Sequence, residues 1–282
     1  VEPPEPPAVA PPPTAPPPST PEAEGDSDDE FEAEKELGAR MTFLEHLDEL
    51  RKRLLYSILA IGIAFGGAWG FREYIFNFIR RPIDQVVDEL IITSATDPFT
   101  IYMKVAFVVG IFIASPVILF QVWQFIAPGL YRKEKRYVLP FLFSSTILFL
   151  SGGAFAYYIL LPPALNFLIL ELGRQFKPFM TAMDYFDLVI LFILGMGALF
   201  QLPVLIAFLS MFGLISPGFL WRNFRYAFLL IVIAAAIISP TTDPFSLMLW
   251  TGPLVVLYLI GIIVSWVFKR RRLKRERLES EA

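Results

Sequence analysis

Two carboxylates stand among bases. Glu49 lies in Phe43-Leu44-Glu45-His46-Leu47-Asp48-Glu49-Leu50-Arg51-Lys52-Arg53, and Glu134 is the one acid of Arg132-Lys133-Glu134-Lys135-Arg136. A carboxylate so placed can accept charge-assisted hydrogen bonds from a cationic ligand. Spacing alone also supports plainer roles: Glu49 pairs with Arg53 at i+4, and Glu134 is a solvated member of a basic loop. Three neutral amides, Gln121, Gln124 and Gln201, lie inside apolar stretches, where a polar group needs a partner. Pro203 frees a carbonyl one turn back, so Gln201 either bonds within its own helix or offers a contact to another transmembrane helix.

Other chemistry is excluded by composition. The chain has no cysteine and a single histidine, His46, so thiolate nucleophiles and His-rich metal sites cannot be assembled within it. It also has no Gly-rich phosphate loop, His-Glu-x-x-His pair or Gly-x-Ser-x-Gly elbow. We expect no enzyme, no metal and no cofactor.

The elements that must position these residues are transmembrane helices. Hydrophobic residues make up 55% of the chain against 18% charged, and the mean hydropathy is +0.57. Six uncharged runs, 54–71, 105–131, 137–170, 188–221, 226–242 and 244–268, contain 18, 27, 34, 34, 17 and 25 residues. About 20 apolar residues cross the hydrocarbon core, so each run is read as one helix of an all-α, polytopic bundle, with the fifth too short to cross fully. Of the 24 Lys and Arg residues, 18 fall on one side of this six-span arrangement, which places both termini in the cytoplasm. The segment 72–90, with Pro82 interrupting it, is read as amphipathic and lying on the outer surface. Asp97-Pro98, Ser216-Pro217, Ser239-Pro240 and Asp243-Pro244 mark helix starts and tight turns.

Residues 1–38 are a separate material. Eleven of the 24 prolines occur by Pro21 and an acidic run follows, a composition that cannot form a core. The expected organisation is a disordered cytoplasmic tail over 1–38, a membrane domain over 39–268 and a basic cytoplasmic tail over 269–282.

Three stretches in one order carry a family resemblance: Phe43 to Arg53; Ser115-Pro116-Val117-Ile118-Leu119-Phe120-Gln121-Val122-Trp123-Gln124-Phe125-Ile126-Ala127-Pro128-Gly129-Leu130-Tyr131 with the basic loop after it; and Phe200-Gln201-Leu202-Pro203 with Ser239-Pro240-Thr241-Thr242-Asp243. Over Met41 to Phe268 the sequence closely resembles the TatC family, the multispanning receptors of twin-arginine protein translocation. The resemblance implies a glove-shaped bundle of six helices, the fifth and sixth short, in the inner membrane of a bacterium rather than a thylakoid. It implies binding of twin-arginine signal peptides of folded cargo, assembly with TatA-like and TatB-like single-span proteins in a larger complex that includes self-association, contact with membrane lipid and no nucleic acid, and use of the proton gradient. By the same resemblance Glu49 and Glu134 receive the paired arginines, and Arg51, Phe125 and Leu130 match neighbouring positions of the recognition region. Pro82 and Asp243 match functional positions of the outer segments. Family members carry Glu or Gln where this chain has Gln201, the expected partner-helix contact. Two guanidinium groups ask for carboxylates in fork geometry, which agrees with this assignment. The alternative is a six-helix small-molecule or ion transporter, favoured by Gln201 in an interrupted fourth span. Few mid-bilayer ionisable groups and no inverted repeat oppose it.

Overall fold

A computed structural model describes residues 43–87, 89–126, 138–171, 180–239 and 243–280. By its contacts the chain divides into Val1–Asp48 and Glu49–Ala282, and the packed core belongs to the second unit. Among the described residues the protein is helical, with one isolated parallel bridge between Ile91 and Thr181.

Helix α1 (Phe43–Gly70) has 28 residues, about 42 Å of rise, so it begins before the membrane as its length requires. Only 6% of its apolar window is buried by protein, against 39% in each of the next three spans, so lipid is its main neighbour. Helix α2 (Arg72–Arg80) and a 3₁₀ turn (Ile83–Gln85) follow, separated at Pro82 as expected. This segment rests on protein rather than on lipid alone, because Ile79 and Ile83 are fully buried in the core. Phe76 stacks on Phe186 and Phe78 on Tyr157, with ring centroids 4.9 and 4.8 Å apart. The last carbonyls of a helix lack intrahelical donors. Here the Tyr157 hydroxyl donates to the Phe78 carbonyl (2.5 Å) and the Tyr185 hydroxyl to the Ile79 carbonyl (2.6 Å).

The second span is α3 (Asp97–Ile126). Asp97 was expected to cap it, but its carboxylate turns back to accept from the amides of Thr93 and Ser94 and from the Thr93 hydroxyl, fixing the preceding turn. Pro116 lies inside α3 without ending it. Proline removes the donor to the Phe112 carbonyl, and the Ser115 hydroxyl supplies one at 2.7 Å. The third span opens as α4 (Val138–Phe155), widens into a π turn (Ala156–Leu160), returns to α5 (Leu161–Leu165) and widens again (Asn166–Glu171). Pro162 and Pro163 withhold two amide donors in this region, where the helix takes wider turns instead of breaking. The 34-residue run is thus one continuous helical span, as read.

The fourth span is split into α6 (Ala182–Leu199) and α7 (Leu202–Met211), with a turn at Phe200 and Gln201, two residues before Pro203. Thr181 caps α6, its hydroxyl accepting from the Asp184 amide. Gly213, at φ 73°, turns the chain through a conformation that side chains disfavour. Short α8 (Pro217–Arg222), capped by Ser216, precedes α9 (Phe224–Ile238), the fifth span. Fifteen residues rise about 22 Å, less than the roughly 30 Å of hydrocarbon, so the expected shortness of this helix holds. The sixth helix differs from expectation. Capped by the Asp243 carboxylate on the Ser246 amide (2.8 Å), α10 (Pro244–Ser280) is long. Its apolar part, Pro244–Val267, has 24 residues, and the basic stretch from Lys269 continues the helix, because Lys, Arg, Leu and Glu are good helix formers.

Small residues set the helix spacing. A Cβ on Gly152 would stand 2.7 Å from the Met196 carbonyl oxygen, one on Gly261 2.5 Å from the Ile206 side chain, and one on Gly110 3.0 Å from the Phe65 amide. Backbones thus meet across the third and fourth and across the first and second spans, and a side chain of the fourth packs on the backbone of the sixth. Around these crossings Phe192 meets Trp250 edge-on at 4.8 Å, and Ser210 and Ser265 exchange a buried hydrogen bond of 2.7 Å.

Candidate functional site

At the inner end of the first two spans, Arg53 is the centre of a three-residue polar cluster. One guanidinium nitrogen donates to Glu49 Oε1 (3.1 Å), the i+4 pair anticipated from spacing. Another donates to Gln121 Oε1 on α3 (3.2 Å). The side chains of Arg53 and Glu49 are only 24% and 14% exposed. Among the described residues, Glu49 Oε2 and Arg53 Nε are buried and have no hydrogen-bond partner. An ionised carboxylate can accept about four hydrogen bonds, so Glu49 keeps an oriented oxygen in reserve. Its orientation comes from the helix itself: Glu49 and Arg53 are one turn apart on one face, and Gln121 reaches them from α3.

The anticipated residues separate into three places. Glu49 is at this inner end, and Phe125, half-buried, lies one turn beyond Gln121 in α3. Arg51 is exposed and about 200° around α1 from Glu49, so the two side chains leave the helix on different faces. Glu134 and Leu130 lie outside the described residues. Pro82 and Asp243 are at the opposite ends of their spans, the first separating α2 from its 3₁₀ turn and the second capping α10.

Gln201 sits at the break in the fourth span. Its amide nitrogen donates to the Ser145 carbonyl of α4 (2.9 Å), a bond to another helix of the same chain rather than within its own. Ser145 also accepts at its hydroxyl from the Trp123 indole of α3 (3.2 Å), so one buried serine joins three spans. Two features escaped sequence reasoning. The Gln121 contact bridges 68 residues and has no local signature. Lys104 and Asp187, 2.5 Å apart, border the apolar runs 105–131 and 188–221 in sequence, yet both lie inside helices. Among the described residues no group of acids and histidines could hold a metal.

The family model for the Sec-independent protein translocase protein TatC matches residues 45–253. The Sec-independent protein translocase protein TatC of Koribacter versatilis is 45% identical over 249 residues, covering 86% of this chain and 92% of that protein. The TatC protein of Aquifex aeolicus is 38% identical over 239 residues, covering 82% and 98%. A crystal structure of the twin arginine translocase receptor TatC superposes with a TM-score of 0.70 at 39% identity, covering 80% of this chain and all of that one. The helical, multi-pass architecture and these matches agree. The chain belongs to the TatC family of Sec-independent protein translocases, the receptor subunits of the twin-arginine system in the bacterial inner membrane, which are translocase components and not enzymes.

Proposed function

We propose that the protein receives twin-arginine signal peptides at its cytoplasmic face, with Glu49 and Glu134 accepting the paired guanidinium groups and Arg51, Phe125 and Leu130 bordering them. The supporting observation is the Glu49 carboxylate: Arg53 holds one oxygen, and the other is buried without a partner among the described residues. A cargo arginine would complete that shell. Charge-assisted hydrogen bonds contribute on the order of 1.5 to 3 kcal/mol each, and water near the site lowers this. Such recognition is reversible, which suits a receptor that must release its cargo. The apolar part of the signal peptide adds affinity within the bilayer.

The same reading, from family membership, assigns TatA-like and TatB-like single-span proteins as partners and the proton gradient as energy source. Gln201 with its neighbours would face a partner helix, and Pro82 and Asp243 would serve on the outer side. Residues 1–38 and 269–282 are assigned as cytoplasmic tails flanking the membrane domain.

Affinity for a twin-arginine peptide and its twin-lysine counterpart tests the assignment. Glu49→Ala and Glu134→Ala should each weaken the twin-arginine peptide about ten-fold or more, and the Gln variants less, because an amide oxygen still accepts but carries no charge. Wild-type affinity in correctly inserted Glu49→Ala protein would remove Glu49 from the site.

A further inference from the structure

Lys104 and Asp187 form an ion pair that recognition of the signal peptide does not use. Lys104 is seven residues past Asp97 in α3 and Asp187 five past Ala182 in α6, about 10 and 8 Å along the helix axes from their starts. The lysine ammonium contacts Asp187 Oδ1 at 2.5 Å and the Met183 sulfur at 3.4 Å. Both charged side chains stay open, 38% and 50% exposed. Helices α3 and α6 run from the outer side inward, and helical side chains lean toward the N-terminus, so both groups reach toward the outer interface. A pair of full charges at this depth is costly unless further polar groups complete it.

Lys104 also forms the rim of a groove of about 600 Å³ between α1 and α3. Its other walls are Ile58, Ile61, Gly62, Phe65, Met103 and Phe107, all apolar. From Phe65 to Ile58 the α1 wall descends seven residues toward the inner side, roughly 10 Å. An apolar trough therefore ends at the stem of the lysine whose ammonium meets Asp187.

We propose that this is a binding site for a single phospholipid of the phosphatidylethanolamine type. The phosphate meets the Lys104 ammonium, the primary ammonium of the headgroup donates to Asp187, and one acyl chain lies in the groove. The order of charges selects the headgroup. Phosphatidylglycerol would offer Asp187 only neutral hydroxyls in place of a cation, and the choline headgroup has no N–H to donate.

Native mass spectrometry of the full-length protein, released from nanodiscs of equal phosphatidylethanolamine, phosphatidylcholine and phosphatidylglycerol, tests the site. Wild type should retain phosphatidylethanolamine about ten-fold over either competitor, the effect of one charge-assisted contact. Lys104→Met should abolish the preference. Asp187→Asn leaves a cation alone and should turn the preference to phosphatidylglycerol. A Cβ at Gly62 meets nothing within 4 Å, so Gly62→Phe can fill the trough without backbone strain and should lower retention of all three lipids. Equal retention by wild type, a phosphatidylethanolamine preference persisting in Asp187→Asn, or unchanged retention in Gly62→Phe would overturn the proposal. Thermal melting in detergent identifies any charge variant that fails to fold, in which case Gly62→Phe decides alone.

Discussion

The two ends of the membrane domain solve different problems. On the outer side α2 is held by paired aromatic rings, two tyrosine hydroxyls on its last carbonyls and the fully buried Ile79 and Ile83. On the inner side Glu49, Arg53 and Gln121 meet through two hydrogen bonds, on a first helix that protein scarcely covers. The outer end is over-determined and the inner end is left with unused hydrogen-bonding capacity. Rigidity and unused hydrogen-bonding capacity are thus segregated along the bilayer normal: dense packing fixes the outer scaffold, and the charged inner rim is the place where we propose that a ligand is received.

The contrast can be broken by mutation, most severely at a helix crossing. Gly152→Leu places a side chain against the Met196 carbonyl and the Phe200 ring, and should separate the third and fourth spans and cost about 3 kcal/mol or more, seen as a large fall in melting temperature in detergent. Tyr185→Phe should cost about 1 to 3 kcal/mol, because the Ile79 carbonyl is left in a buried setting without its donor. A melting temperature equal to wild type would show that the outer segment is not held as described.

Gln201→Leu should cost roughly 0.5 to 2 kcal/mol through loss of the bond to Ser145. Gln201→Glu should approach wild type only as the neutral acid, since a carboxylate would face a carbonyl oxygen with no proton between them. The smallest stability effect is expected at the inner end. Gln121→Leu should change melting by about 0.5 kcal/mol or less, yet free Arg53 to place more of its fork on Glu49 and so weaken a twin-arginine peptide about three-fold by competition. A Gln121 variant that unfolds like Gly152→Leu would erase the division between scaffold and rim.

Much of this architecture was legible beforehand because the bilayer constrains it so strongly. Six apolar runs became five long helices and one short one, and Ser216 and Asp243 cap helices as their pairing with proline suggested. The second and fourth spans start before the apolar runs 105–131 and 188–221. Lys104 and Asp187 interrupt hydrophobicity but not hydrogen bonding, and a helix tolerates a charge that can reach the interface. Asp97 carried a capping signal, yet the preceding Thr93 and Ser94 amides competed successfully for its carboxylate. The Glu49 and Arg53 pair was visible because it is local. Gln121 completes that cluster from another helix, and Ser145 joins three spans from a position with no polar pattern around it, so both emerge only from packing.

The brevity of α9 has a mechanical consequence for the surrounding membrane. A deficit of about 8 Å against the hydrocarbon thickness must be absorbed where lipid touches this helix, by compressing acyl chains or by tilting flanking residues into the apolar layer. Each ångström of compression stores only a fraction of a kilocalorie per mole, but the load is one-sided, because α3 and α10 are long enough to need no such adjustment. The protein therefore carries a local dent in the elastic sheet around it. Neighbours with short spans would share that dent at no added elastic cost, so the lipid itself becomes a medium that draws them to one flank.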